Sequence, residues 1–489
     1  MMQAFDISVL IQNILDSVPF LLPEFALVLG FLSVILVDLF IKKSEKIVLT
    51  LTFLALLFSL ITLVFQYPQI PEQGLNLFNN MFLLSKKSVL LKGLTLLGGL
   101  LSLVFFNQDA RLKIHKKGIN DFYSIYLASV LSALILISAS NLLMAFIAIE
   151  MLSLSSYLIV SYTAEQSRQM ESGLKYMLFG VTSSAIMLYG ISFLYGFSGS
   201  ISLADQSIAN GLVEVSSTAR LLVLMFFVAG IAFKLSAVPF HFWAPDVYEA
   251  APTSVTSYLS TIPKVAVFGW LLSINNMLHL SNSYYLEIIF ALSLFTLIVG
   301  NVMAVFQKDI KRLLSYSAIG HSGFILMIFV LPEADVFHSL FYYLLVYVVT
   351  NIGAFAVVNN YECIYGIATL ENIKGKGKNT VVASAVFVVF LVSLIGLPPT
   401  GGFVAKFIVF SELISQLNHK YYAVLLIVAV LTTVISLFYY FKIPLNLFLR
   451  KSETEDIPVS VNKQLLILPV LLGIVVLILG LFPAWIKFF

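Results

Sequence analysis

Hydrophobic positions along this chain fall into long runs rather than alternating patterns. From residue 18 onward, apolar stretches follow one another with little sequence between them, each near the roughly 20 residues that cross a bilayer as a helix. Backbone polar groups must be satisfied within lipid, so only helices or closed barrels span it. The period-two alternation of barrel strands is missing. The pattern predicts an all-α integral membrane protein of about fourteen transmembrane helices. The predicted spans are 18–39, 47–66, 89–107, 122–138, 142–162, 173–197, 219–243, 253–273, 285–306, 311–331, 337–359, 380–416, 421–441 and 464–487.

Two spans carry helix breakers. The seventh holds Pro239 soon after Lys234, and the twelfth holds Leu397-Pro398-Pro399-Thr400-Gly401-Gly402 ahead of Lys406. Proline removes an amide donor and clashes with the preceding turn, so both helices are expected to break near mid-membrane. Residues 198–218, with Asp205 and Glu214, read as a polar loop carrying a short surface helix.

Composition agrees. Of 489 residues, 60% are hydrophobic and 11% charged, with a mean hydropathy of +0.99; soluble domains are about a quarter charged. The basic residues set the orientation. With the N-terminus outside, the inner loops hold eighteen of the 28 Lys and Arg and the outer segments five. The other five lie within spans: Lys92, Lys175, Lys234, Lys264 and Lys406. The positive-inside rule then places both termini outside. The first 17 residues carry Asp6 and Asp16 and no basic residue, so no cleavable signal peptide is expected. The lone Cys363 excludes a disulfide framework and a thiolate-held iron–sulfur cluster. No P-loop, dinucleotide fingerprint or metal-ligand spacing is present.

A weak internal repeat is visible. Glu150 and His321 stand 171 positions apart, and Lys234 and Lys406 stand 172 apart. Five predicted helices separate each pair, so the second copy would be inverted, as in secondary transporters with a site at the midplane.

A charge at the bilayer centre costs roughly 2.5–3.5 kcal/mol on insertion scales, so each buried ionisable residue needs an account. Glu150 reads as a partner for a lysine in a proton path, against a protonated acid satisfied by a serine. Lys234 is too deep to snorkel, and its proton affinity would switch as a carboxylate approaches or retreats. Lys264, directly after Pro263, and Lys406, after the twelfth-span break, read alike. Lys175 has Glu171 one turn earlier, so an i,i+4 pair competes with a functional role. Lys92 reads as a snorkelling residue. His241 and His321 are suited to relaying protons or to structural hydrogen bonds; His115, His279, His338 and His419 read as bland. Asp38 and Glu24 are expected at an interface. The run from Pro239 to Thr253 reads as a rigid inner loop in which Asp246 and Glu249 gather protons or cap the next helix.

That run carries a resemblance. Phe233-Lys234-Leu235-Ser236-Ala237-Val238-Pro239-Phe240-His241-Phe242-Trp243-Ala244-Pro245-Asp246-Val247-Tyr248-Glu249, followed by Ala251-Pro252-Thr253 and Ser260-Thr261-Ile262-Pro263-Lys264, resembles subunit N of the bacterial proton-pumping NADH–quinone oxidoreductases (respiratory complex I), within the antiporter-like subunit family. Lys308-Asp309-Ile310-Lys311-Arg312-Leu313-Leu314-Ser315-Tyr316-Ser317 before His321, and Gly396-Leu397-Pro398-Pro399-Thr400-Gly401-Gly402-Phe403 before Lys406, support it. Lysine at both 264 and 406 fits the N type rather than L or M.

The resemblance implies a buried pair of Glu150 and Lys234, a central relay at Lys264 and a terminal site at Lys406, with Lys175 and His241 contributing to the path. It implies two inverted five-helix repeats, 122–273 and 285–441, after a flank at 1–121 and before a last helix at 464–487. It also implies a bacterial inner-membrane location with periplasmic termini. NADH, FMN, iron–sulfur clusters and quinone are then expected in partner subunits, with no cofactor or metal held by this chain. The partners expected are a neighbouring antiporter-like subunit, small quinone-side subunits and lipid, with no nucleic acid. The competing readings are a subunit of a multisubunit cation/proton antiporter and an inert membrane anchor.

Overall fold

Long apolar runs become long helices because lipid leaves the backbone no partner but itself. The computed structural model describes residues 7–41, 44–114, 118–163, 167–204, 206–278, 283–331, 333–417, 420–451 and 463–483. Both chain ends, Asp6, Asp205, His115, His279 and His419 lie outside these described residues.

The N-terminal flank comprises α1 (Ile7–Ser17), α2 (Leu22–Phe40), α3 (Glu45–Gln66) and α4 (Lys86–Gln108). Next come α5 (Asn120–Ser138), α6 (Leu142–Ser161), α7 (Ser167–Ser198), α8 (Ser207–Glu214), α9 (Ser217–Lys234), α10 (Trp243–Ala250) and α11 (Thr253–Leu278). The remainder is α12 (Ser283–Val305), α13 (Ile310–Ile328), α14 (Glu333–Tyr365), α15 (Val381–Ile395), α16 (Gly401–Ser415), α17 (Lys420–Pro444) and α18 (Lys463–Leu481). Among the described residues, twelve helical stretches are long and apolar enough to cross a membrane. α13 falls outside that set, with Lys311 and Arg312 in its first turn. α15 and α16 have 15 residues each, about 22 Å, too short singly for a core of about 30 Å.

Polar residues mark the helix starts. Asn141 accepts from the amides of Leu143 and Met144, Ser85 forms a reciprocal capping box with Ser88, and Asp309 accepts from the Arg312 amide at 2.9 Å. α11 and α14 form the centre: 94% and 89% of their apolar windows are buried, against 33% for α3. They pack on each other and join the two halves of the molecule.

The structure alters several expectations. The proline-rich run 239–253 is not all loop, because α10 occupies its middle. Pro245 falls in that helix's first turn, where an amide donor has no intrahelical partner to lose. The eighth predicted span stays a single helix, α11, which runs unbroken through Pro263. A short antiparallel hairpin pairs Leu75–Leu77 with Phe82–Leu84, and α1 precedes the first span; neither is in the predicted set. The two breaks themselves occur as expected, after α9 and between α15 and α16.

Candidate functional site

α9 ends at Lys234. The chain turns through Ser236, buried with φ of 55°, a left-handed conformation that costs a non-glycine residue on the order of 1 kcal/mol. Lys234 is 3% exposed. It is the last residue of α9, and the C-terminal end of a helix favours a cation. Nζ is 3.4 Å from the Tyr176 hydroxyl and 5.6 and 5.5 Å from the ring centres of Tyr157 and Tyr176. Glu150, on α6, attracts Lys234 electrostatically, yet among the described residues no direct ion pair joins them, and its Oε1 is buried without a hydrogen-bond partner. Among the described residues the two therefore stand in an open arrangement, with no salt bridge closing them.

Lys264 is 1% exposed on α11. It donates to the Ala318 carbonyl at 2.8 Å and the Ser322 hydroxyl at 2.9 Å, both on α13. The hydroxyls of Ser236, Tyr248 and Ser257 are buried with no partner among the described residues. His321, next to Ser322, shares a hydrogen bond of 2.8 Å with the Tyr343 hydroxyl.

Lys406 stands on the far side of its break, in the second turn of α16. It reaches back to donate to Ile395 O, the last residue of α15, at 2.8 Å, and sits 4.5 Å from the Phe324 ring centre. Lys406 thus faces the C-terminus of the preceding half-helix, whereas Lys234 is the last residue of its own and meets tyrosines of α6 and α7. Two glycines permit this. Gly396 caps α15 at φ +87°, and a Cβ on Gly402 would lie 1.8 Å from the Ser393 carbonyl oxygen. A small cavity of about 10 Å³ joins His321, Tyr343 and Lys406.

Lys175 lies apart from this chain. Its side chain is 43% exposed and pairs with Glu171 at 2.8 Å and Asp246 at 3.3 Å. Arg312 Nη1 bonds Asp246 and Glu249 at 2.8 Å each. Burial pushes the Asp246 carboxyl up, but bonds from Arg312 and Lys175 outweigh it and hold the group below its ordinary value. These residues line a polar cavity of about 190 Å³ at the end of α10. His241 is buried in the break, its ring 4.4 Å from that of Phe242 and tilted by 34°, with Nδ1 unpartnered among the described residues.

Two buried clusters have no counterpart among the expected sites. Lys92, expected to snorkel, is instead 1% exposed and bonds Glu24 at 2.6 Å. Glu24, expected at an interface, is 5% exposed. Their partner across α2 and α4 is non-local, so spacing alone carried no signal. Glu362 on α14 likewise meets Arg111 at 3.4 Å, Lys311 at 3.8 Å and the Thr253 hydroxyl. Among the described residues, no group of His, Cys, Asp and Glu is arranged to hold a metal ion.

The profile of the family described as NADH:quinone oxidoreductase/Mrp antiporter, transmembrane, matches residues 139–436, which span α6 to α17 and every residue of the lysine chain. The chain belongs to this family. An NADH-quinone oxidoreductase subunit N from Chlorobium chlorochromatii (strain CaD3) is 35% identical over 459 residues, covering 91% of this chain and 88% of that one. In the solved structure of respiratory complex I from Thermus thermophilus with bound Aureothin, one chain aligns with a TM-score of 0.78 at 28% identity, covering 94% of this chain and 97% of that one. A chain of the Mrp complex from Dietzia sp. DQ12-45-1b shares the fold, with a TM-score of 0.79 at 19% identity over 95% and 94%.

Proposed function

We propose that this protein is the N-type, proton-translocating membrane subunit of a bacterial NADH–quinone oxidoreductase, and that Lys234, Lys264 and Lys406 carry the proton between its two halves. One observation carries the reading: three lysines, each no more than 4% exposed, lie on three different helices, with the Tyr176 and Ser322 hydroxyls bonding Lys234 and Lys264 and a small cavity joining His321 to Lys406. Buried lysines with no ion-pair partner are costly to keep, and a chain of them is accounted for by exchange of a proton. The 35% identity to a subunit N over nearly the whole chain supports the oxidoreductase over a cation antiporter.

In this mechanism Glu150 is the switch. One pKa unit corresponds to about 1.4 kcal/mol, so a carboxylate that closes on Lys234 holds its proton and one that withdraws releases it toward Lys264. The open arrangement of Glu150 and Lys234 corresponds to the releasing state. From Lys264 the proton passes by Ser322 and His321 to Lys406; the cavity between His321 and Lys406 is near the size one water needs, roughly 10–15 Å³.

The twelve apolar stretches, α13 and the α15–α16 pair give fourteen crossings, grouped as inverted repeats at 122–273 and 285–441 between a flank at 1–121 and a helix at 464–487. With the basic loops inside, both termini would lie in the periplasm. The chain is the non-redox part of the enzyme: NADH, FMN, iron–sulfur clusters and quinone belong to partner subunits, and a second antiporter-like subunit and the small quinone-side subunits flank it in the membrane. The test is Lys234→Ala in the assembled complex in native membranes. NADH-driven proton pumping should fall more than about tenfold, the worth of 1.4 kcal/mol or more; full pumping at normal assembly would overturn the assignment.

A further inference from the structure

Arg312 stands outside the lysine chain, on α13, but it is connected to Lys234 through one short helix. α10 lies between α7 and α13. Its Asp246 and Glu249 both accept from Arg312 Nη1 at 2.8 Å, and Asp246 also meets Lys175 at 3.3 Å. At its other end, Trp243 Nε1 donates to the Phe233 carbonyl at 3.1 Å. The Trp243 ring stacks on Tyr176, with centroids 4.2 Å apart and planes at 18°. Phe233 immediately precedes Lys234, and the Tyr176 hydroxyl is the hydrogen-bond partner of the Lys234 ammonium.

We propose that Arg312 is a positioning residue for Lys234: through α10 it sets the placement of Trp243, and with it Tyr176 and the last turn of α9. An eight-residue helix has too few internal hydrogen bonds to be stable alone, so tertiary contacts decide where α10 sits. Its two carboxylates are three residues apart on one face and repel each other. Arg312 bridges the two with charge-assisted bonds, which are about twice as strong as neutral ones, and offsets their repulsion. Without it, Lys175 is the cation left to Asp246 among the described residues, and that lysine is 43% exposed and shared with Glu171. The cation belongs to one half of the chain and the lysine it steadies to the other, so movement of α13 is passed directly to the Lys234 break.

The effect on pumping rests on the proton-carrying reading of Lys234; the positional link does not. Hydrogen–deuterium exchange on the purified complex separates the two. Arg312→Gln should raise exchange across residues 231–250 about tenfold, the scale of a lost charge-assisted bond, and leave residues 392–405 unchanged; Arg312→Lys should restore most of the protection. Pumping should fall in Arg312→Gln and in Trp243→Phe, and the double variant should be no worse than the poorer single, because both act through one path. Unchanged exchange over 231–250, or losses that multiply in the double variant, would overturn the link. Faster exchange with unchanged pumping would uphold the link and count against the role given to Lys234. Should Arg312→Gln not assemble, Asp246→Asn is the milder variant, with the same pattern expected at smaller size and the same two outcomes decisive.

Discussion

Two buried lysines of this protein sit in opposite electrostatic circumstances. Lys92, in the N-terminal flank, is closed onto Glu24 at 2.6 Å. Lys234, at the α9 break, has a carboxylate within electrostatic reach but a tyrosine hydroxyl at 3.4 Å as its nearest hydrogen-bond partner. A closed buried pair holds its protons and fixes two helices; an open one leaves proton affinity dependent on small movements. The difference separates a lysine that holds the flank in place from one suited to exchange, although both carry the same side chain at a comparable burial.

The largest effect that would test this contrast is on stability. Lys92→Ala leaves Glu24 buried and unpaired and should cost about 3–5 kcal/mol, read as a lowered unfolding temperature of the purified protein. Lys92→Met combined with Glu24→Leu should be close to neutral, and pumping per assembled complex should stay intact. Lys234→Ala should do the reverse, losing pumping with far less loss of stability. A pumping defect in the Lys92→Met, Glu24→Leu double variant would erase the distinction.

A smaller effect is expected at Tyr176. Tyr176→Phe removes one hydrogen bond from the Lys234 ammonium, about 1 kcal/mol, and should slow pumping about fivefold. Lys406 offers a contrast, because its partner is the main-chain carbonyl of Ile395 and no side-chain substitution removes it. There Phe324→Leu withdraws a cation–π contact worth roughly 0.5–2 kcal/mol, and a slowing of about two- to thirtyfold should follow. A Phe324→Leu enzyme that pumps at the full rate would show that the carbonyl alone suffices.

The smallest effect concerns pH. Arg312 and Lys175 hold the Asp246 carboxyl below its ordinary value, so its folded pKa lies below the unfolded one. Its contribution to stability is therefore complete above the unfolded value of about 3.9 and is lost as pH falls through the folded value. Between about pH 5 and 8 the difference in stability between wild type and Asp246→Asn should stay constant. A difference that shrinks as pH is lowered from 8 to 5 would mean the carboxyl titrates inside that window.

What the sequence alone determined is what short-range physics controls. Runs of apolar residues near 20 long announce membrane helices, Pro239 and Pro398-Pro399 announce breaks, and a lysine deep within such a run is conspicuous because lipid makes it costly. Lys234, Lys264 and Lys406 were legible for that reason, and so was the family, through the residues around them. Tertiary structure decided which charges meet. Lys92 and Glu24 lie 68 positions apart, and Arg312 reaches Asp246 across 66; neither separation has a periodicity to read. It also decided that no ion pair joins Glu150 to Lys234 among the described residues, and that Tyr176 meets Lys234, Ser322 meets Lys264 and Tyr343 meets His321. Each of these depends on how helices distant in sequence pack, which hydropathy cannot encode because every packed face is equally apolar.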